Sequence, residues 1–200
     1  MKFNTLRDSY DKIAEWWTQA QSGNPEYGMN FIRRAMSHAI EGGTALDIGC
    51  GGTGRVIGEC INRGFEVIGI DVSLEMINLA KDKYPHAGLI NIDFMNWETN
   101  RKFDLIIAWD SIFHAPRIHQ ISITRKMCSL LNNQGILIFT AGGVEGERSG
   151  IMHGVKFYYG SLDYKNYINI VEEMKCKTIL MERDQFPMDH MVLICQKQKC

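Results

Sequence analysis

From Thr44 onward, short apolar runs alternate with stretches whose apolar residues recur every three to four positions. The runs at 45–48, 66–70, 88–92, 104–109, 135–140, 178–182 and 191–196 have strand length and strand composition. The stretches 54–63, 74–83, 118–131 and 164–175 carry helical periodicity, with Ser73 and Asp163 where N-caps belong. Asn62-Arg63-Gly64 and Asn133-Gln134-Gly135 supply helix stops. This alternation predicts repeated βαβ units and so an α/β fold, a doubly wound and mainly parallel sheet of seven strands. Only residues 183–190 separate the last two strands, too few for a crossover helix, so that pair is expected to be antiparallel.

Two more helical stretches, 6–21 and 30–40, precede the first strand and are joined by the breaker-rich Ser22-Gly23-Asn24-Pro25. They are expected to form a helical cap (1–43) on an α/β core (44–200) within one domain. The 200 residues are enough for one well-buried core.

Composition narrows the functional classes. A net charge of -1 offers no electrostatic footprint for nucleic acid, whose phosphates demand many cations. No apolar run approaches the ~20 residues of a membrane span and the first residues lack the apolar core of a signal peptide, so a cytoplasmic protein is expected. The six cysteines include no C-x-x-C pair, so neither a zinc site nor a redox dithiol is expected.

The chemistry concentrates where the first strand ends. Leu46-Asp47-Ile48-Gly49-Cys50-Gly51-Gly52-Thr53-Gly54 leaves a strand, turns through four glycines and opens a helix, letting backbone approach a ligand where a Cβ would collide. By itself Gly49-x-Gly51-x-x-Gly54 fits a dinucleotide equally well. Asp71 ends the next strand about 20 residues on, placed to accept the hydroxyls of a ribose; the same charge would also favour the N-terminus of the helix capped by Ser73. Asp47 stands where dinucleotide folds keep an apolar residue, and its carboxylate suits an ammonium or ordered loop amides better than a pyrophosphate.

That run resembles the first motif of class I S-adenosylmethionine (SAM)-dependent methyltransferases, and the resemblance extends over most of the chain. It implies SAM as cofactor, strand order 3-2-1-4-5-7-6 with strand seven antiparallel, and a SAM site comprising Asp47, Gly49, Cys50, Gly51, Asp71, Val72, the adenine-flanking Asp93 and Phe94, and Trp109. Phe103 to Ala108 matches strand four, and Asn132 to Ile138 the turn into strand five. Ser9-Tyr10-Asp11-Lys12-Ile13-Ala14-Glu15-Trp16-Trp17 resembles the first helix of the small-molecule branch, which implies that Tyr10 closes over SAM.

The acceptor is less legible. After strand four, Trp109-Asp110-Ser111-Ile112 takes the place of the Asn/Asp-Pro-Pro-aromatic motif of amine-methylating nucleic-acid enzymes, and a Pro-Cys nucleophile is missing, so a small-molecule acceptor is expected. Asp110 and His114 are the candidate proton acceptors, with a helix cap and a packed histidine as the plain alternatives. Residues 142–159, glycine-rich and ending in aromatics, read as a lid or substrate wall contributing His153, Tyr158 and Tyr159, or as a solvent loop before an edge strand. Two other functions share the glycine fingerprint: an NAD-type oxidoreductase and a SAM-binding module without catalysis.

Overall fold

The computed structural model describes residues 3–185 and 190–199. Helices α1 (Phe3–Ser22) and α2 (Met29–Met36) precede β1 (Thr44–Ile48), α3 (Arg55–Asn62), β2 (Glu66–Asp71), α4 (Leu74–Lys83), β3 (Gly88–Asn91) and β4 (Phe103–Ala108). Then come α5 (Gln120–Ser129), β5 (Leu131–Gly142), β6 (Gly146–Met152), β7 (Val155–Ser161), α6 (Tyr164–Glu173), β8 (Cys176–Asp184) and β9 (His190–Lys197). Seven strands form one sheet in the order β3-β2-β1-β4-β5-β9-β8. The first five are parallel, and β9 runs antiparallel to both its neighbours. Counted within that sheet, the order is the expected 3-2-1-4-5-7-6.

Successive residues of each strand serve opposite layers because the side-chain period is two. Ala45, Val67, Leu105, Ile107 and Ile136 cluster with Ile32, Ile57 and Ile77 of α2, α3 and α4. Leu46, Ile70, Ile106 and Leu137 cluster with Met127, Tyr167 and Val171 of α5 and α6. With both faces covered, the central strands read as almost unbroken apolar runs. Asp47 is the carboxylate that interrupts β1, and it is buried.

The N-terminal helices divide their duties. Helix α1 lies against α4 and β7. Helix α2 buries Met29, Ile32, Ala35 and Met36 in the core and lies in the layer that covers one face of the sheet.

Residues 146–161 form a two-stranded sheet of their own, where the glycine content pointed to a lid or loop. Met152 pairs with Val155 across His153 and Gly154, whose φ values of 46° and 74° make the mirror-image turn that suits a two-residue hairpin. The hairpin is tied down: Phe157 is fully buried, its ring 4.8 Å from that of Tyr10, and Lys156 O accepts from Ser9.

Candidate functional site

The carboxyl ends of β1, β2 and β4 open into a cavity with about 1180 Å³ of empty space, part of it open to solvent, ample for a drug-sized ligand. Its floor is the turn from β1 to α3. Gly49, Gly51 and Gly54 take φ values of 76°, 60° and 59°, a region that costs other L-residues roughly 1–2 kcal/mol. A Cβ on Gly49 would stand 2.5 Å from the Cβ of Ser111, so that glycine lets two turns pack together. A Cβ on Gly51 would meet nothing within 4 Å, which leaves bare backbone facing open space.

Two carboxylates flank this turn. Asp71 accepts from Gly51 N at 3.0 Å and from Ser73 N at 2.9 Å, and is thereby fixed against the loop. Burial raises its pKa to about 6, against the lowering effect of those amide bonds. Asp47 is 2% exposed and its Oδ2 has no hydrogen-bond partner. Burial pushes its pKa to about 7, the charge of Arg55 opposing and that of Asp71 adding. A buried carboxylate oxygen without a donor is costly, and it faces a cavity. Cys50 and Val72 line the same wall, the Cys50 thiol held well above its usual pKa by burial.

At the far end, Asp93 caps a short 3-10 turn by accepting from Met95 N at 2.8 Å, while its Oδ2 is buried without a partner. The Phe94 ring lies 4.8 Å from Lys126 Nζ, which also donates to the carbonyls of Phe94 and Trp97 at 2.6 and 2.7 Å. Lys126, from α5, thus staples the turn that carries Asp93.

The third wall comes from the turn after β4. Trp109 is buried, with Nε1 unpartnered. Its indole fills the space beside Gly28, where a Cβ would lie 2.2 Å from the ring. Asp110 has φ 52° and accepts from Tyr27 at 2.8 Å, Thr140 at 3.2 Å and His190 at 2.8 Å. His190 also bonds Asp184 through Nδ1. Burial alone would lower its pKa, but the two carboxylates outweigh burial and hold it up at about 9, a protonated imidazole between two acids. His114 bonds Tyr10 Oη at 2.7 Å and Tyr158 O at 2.9 Å, and burial drives its pKa down to about 4.

The sequence-derived residues are therefore brought together unevenly. Tyr10, Asp47, Gly49, Cys50, Gly51, Asp71, Val72, Asp93, Phe94, Trp109, Asp110 and His114 all line one cavity. His153, Tyr158 and Tyr159 do not. His153 stacks on Trp16 at 4.6 Å, Tyr158 donates to Glu147 at 2.7 Å, and Tyr159 packs on the His114 ring at 4.9 Å. Sequence reasoning missed Arg55, Tyr27, Lys126 and the His190–Asp184 pair. Arg55 carried a signal: a cation in the first turn of a helix opposes the dipole and so calls for another reason to be there. It donates to Tyr27 O and lines the cavity. Among the described residues no cluster of three or more His, Cys, Asp or Glu is arranged to hold a metal, and no helix is long and apolar enough to cross a membrane.

Comparison with known proteins points the same way. Residues 45–135 match the model of a methyltransferase domain. An uncharacterized methyltransferase of Alkaliphilus oremlandii is 30% identical over 105 residues, covering 52% of this chain and 48% of that protein. The ubiquinone biosynthesis O-methyltransferase of Acinetobacter baylyi is 27% identical over 137 residues, covering 63% and 56%. The chain thus spans about half the length of the curated relatives it matches. Among solved structures, the 1,6-didemethyltoxoflavin-N1-methyltransferase of Burkholderia thailandensis superposes with a TM-score of 0.74 at 14% identity, over 98% of this chain and 88% of that one. The CcbJ methyltransferase of Streptomyces caelestis gives 0.74 at 13% identity, over 98% of both chains. At these identities the structural matches establish a shared fold.

Proposed function

We propose, for a chain that belongs to the class I SAM-dependent methyltransferases, that it moves the methyl group of SAM to a small-molecule acceptor. One observation carries this beyond family membership: the unpartnered oxygen of Asp47, buried at the wall of the cavity beside a glycine turn with nothing in front of Gly51. A pyrophosphate would be repelled there, as an NAD-type oxidoreductase would require, whereas an ammonium supplies the missing donor.

When bound, SAM supplies a methyl group activated on a sulfonium. Asp47 takes the ammonium of its amino-acid end and Arg55 the carboxylate. Gly49, Cys50 and Gly51 present backbone along it, and Asp71, held by Gly51 and Ser73, receives the ribose hydroxyls beside Val72. The free oxygen of Asp93 accepts from the adenine amino group, with Phe94 against the ring. Tyr10 and Trp109 close over the sulfonium, where an aromatic face adds about 0.5–2 kcal/mol. Their combined work is alignment, because holding two reactants in line removes much of the entropic barrier to displacement. Asp110, its oxygens taken up by Tyr27, Thr140 and His190, shapes the acceptor side rather than accepting a proton. Residues 1–200 act as one SAM-binding domain in the cytoplasm, where buried thiols such as Cys50, Cys60 and Cys128 stay reduced.

Thermal unfolding with S-adenosylhomocysteine or NADH tests the reading. A ligand at about 100 times its Kd stabilises the native state by about 2.7 kcal/mol, so S-adenosylhomocysteine should raise Tm by roughly 5–10 °C and NADH should not. A shift with NADH alone overturns the assignment.

A further inference from the structure

At the acceptor side of the cavity, hydrogen-bond geometry orders a pair of groups. The Nδ1 of His114 lies 2.9 Å from the carbonyl oxygen of Tyr158, which can only accept, so Nδ1 carries the proton. A neutral ring then has its lone pair on Nε2, which lies 2.7 Å from Tyr10 Oη, so Tyr10 donates to it. Both nitrogens of His114 are engaged, and the ring has no site left for a proton handed to it directly by an acceptor. The phenol oxygen of Tyr10 keeps its lone pairs, on a side chain that lines the cavity.

We propose that Tyr10 and His114 form a two-step proton relay serving an acceptor whose nucleophile is a hydroxyl or a ring N–H, an inference that rests on the methyl-transfer function above. The acceptor atom bonds to the methyl carbon while the carbon–sulfur bond breaks and its electron pair stays on sulfur. The acceptor's proton passes to Tyr10 Oη, and Tyr10's own proton passes to His114 Nε2. One positive charge leaves sulfur and one appears on the imidazole, which afterwards releases its proton to water.

Because both nitrogens of His114 are engaged and the Tyr10 oxygen is the open end of the pair, the relay serves an acceptor that still carries its proton when it attacks, and the weakness of the terminal base agrees with this. His114 is pushed down to about 4 by burial, the Tyr158 carbonyl and the charge of Asp110 pulling the other way; Tyr10 is held far above its ordinary value by burial and by the charges of Asp71, Tyr159 and Asp110. So weak a base takes a proton only from a group that turns strongly acidic as its bond to carbon forms. A hydroxyl or neutral ring N–H does this. A protonated alkyl amine, with a pKa near ~10, does not yield its proton to such a base.

The test uses the full chain. Calorimetry with S-adenosylhomocysteine comes first: if the wild type does not bind it, the methyltransferase reading fails independently of the relay. Tyr10→Phe and His114→Gln should keep the wild-type circular dichroism spectrum and a cooperative thermal transition, as expected of intact folds. Nitrogen-15 NMR of histidine-labelled complex should then show His114 as the Nδ1–H tautomer at neutral pH, with Tyr10→Phe moving its Nε2 resonance. A protonated Nε2, or one indifferent to Tyr10→Phe, overturns the relay whatever the acceptor. Turnover with catechol, lumazine and benzylamine reads the chemistry. For catechol or lumazine, both substitutions should lower kcat by about 10²–10⁴ at mildly acid pH and recover about tenfold per pH unit as the acceptor ionises unaided. An equal loss at every pH overturns the relay in favour of a structural role. Turnover of benzylamine alone overturns the acceptor class.

Discussion

Replacing Asp47 by Asn should stabilise the ligand-free protein while weakening its grip on SAM, and the stabilisation should depend on pH. Asp47 is 2% exposed, with burial raising its pKa to about 7 against a reference of about 3.9. A gap of about 3 units corresponds to roughly 4 kcal/mol. An acid whose folded pKa lies above its unfolded value keeps its proton longer in the folded state. Stability therefore falls as pH rises from about 4 to about 7, and the penalty is complete above that. Asn removes the ionisation but brings N–H groups the same pocket leaves partly unpaired, a cost of about 1–3 kcal/mol. The net gain is then roughly 1–3 kcal/mol at about pH 8, shrinking to nothing or reversing near pH 4. Urea unfolding of both proteins at three pH values measures it. A gain of the same size at every pH, or an Asn protein less stable at about pH 8, refutes the reasoning. Calorimetry should show SAM binding about 10- to 150-fold weaker, the loss of a charged contact worth about 1.5–3 kcal/mol.

Asp71→Ala removes the acceptor of two loop amides together with the proposed ribose contact, and should cost about 1.5–3 kcal/mol in S-adenosylhomocysteine affinity by calorimetry; unchanged affinity removes Asp71 from the site. His190→Gln breaks the bridge between Asp110 and Asp184. Because the folded pKa of about 9 lies above the ordinary 6.5, the bridge contributes in full below about pH 6.5 and is lost as pH climbs through 9. The variant should lose roughly 3 kcal/mol near pH 6 and little near pH 10, and a pH-independent loss in denaturant titrations speaks against a charged bridge.

What the chain disclosed in advance was local. The Asp47 to Gly54 turn and Asp71 lie within one βαβ unit, where strand ends and residue types suffice to place a ligand. The bridge from Tyr27 through Asp110 to His190 and Asp184 joins residues up to about 160 positions apart, and spacing along the chain is silent about such meetings. Of the hairpin, the aromatic edge strand stood among the alternatives, but its partner escaped notice for another reason. None of its first strand, Gly146–Met152, is buried, so the period-two alternation that marks a half-buried strand never arises there. Its one signal was Gly154, beside a residue that also takes positive φ.

The placement of β9 sets an order of events during synthesis. It is the later of the last two strands along the chain, yet it lies inside the sheet, joining β5 to β8. While the ribosome is still short of His190, β5 presents an unpaired edge and β8 has no neighbour at all, a state open to pairing with other chains. The parallel strands can assemble as they emerge, but the sheet closes only once Met191, Val192, Leu193 and Ile194 arrive, all of them fully buried in the finished protein. A message cut before those codons would yield a product that holds every residue lining the cavity at the ends of β1, β2 and β4 yet exposes the edge that β9 covers.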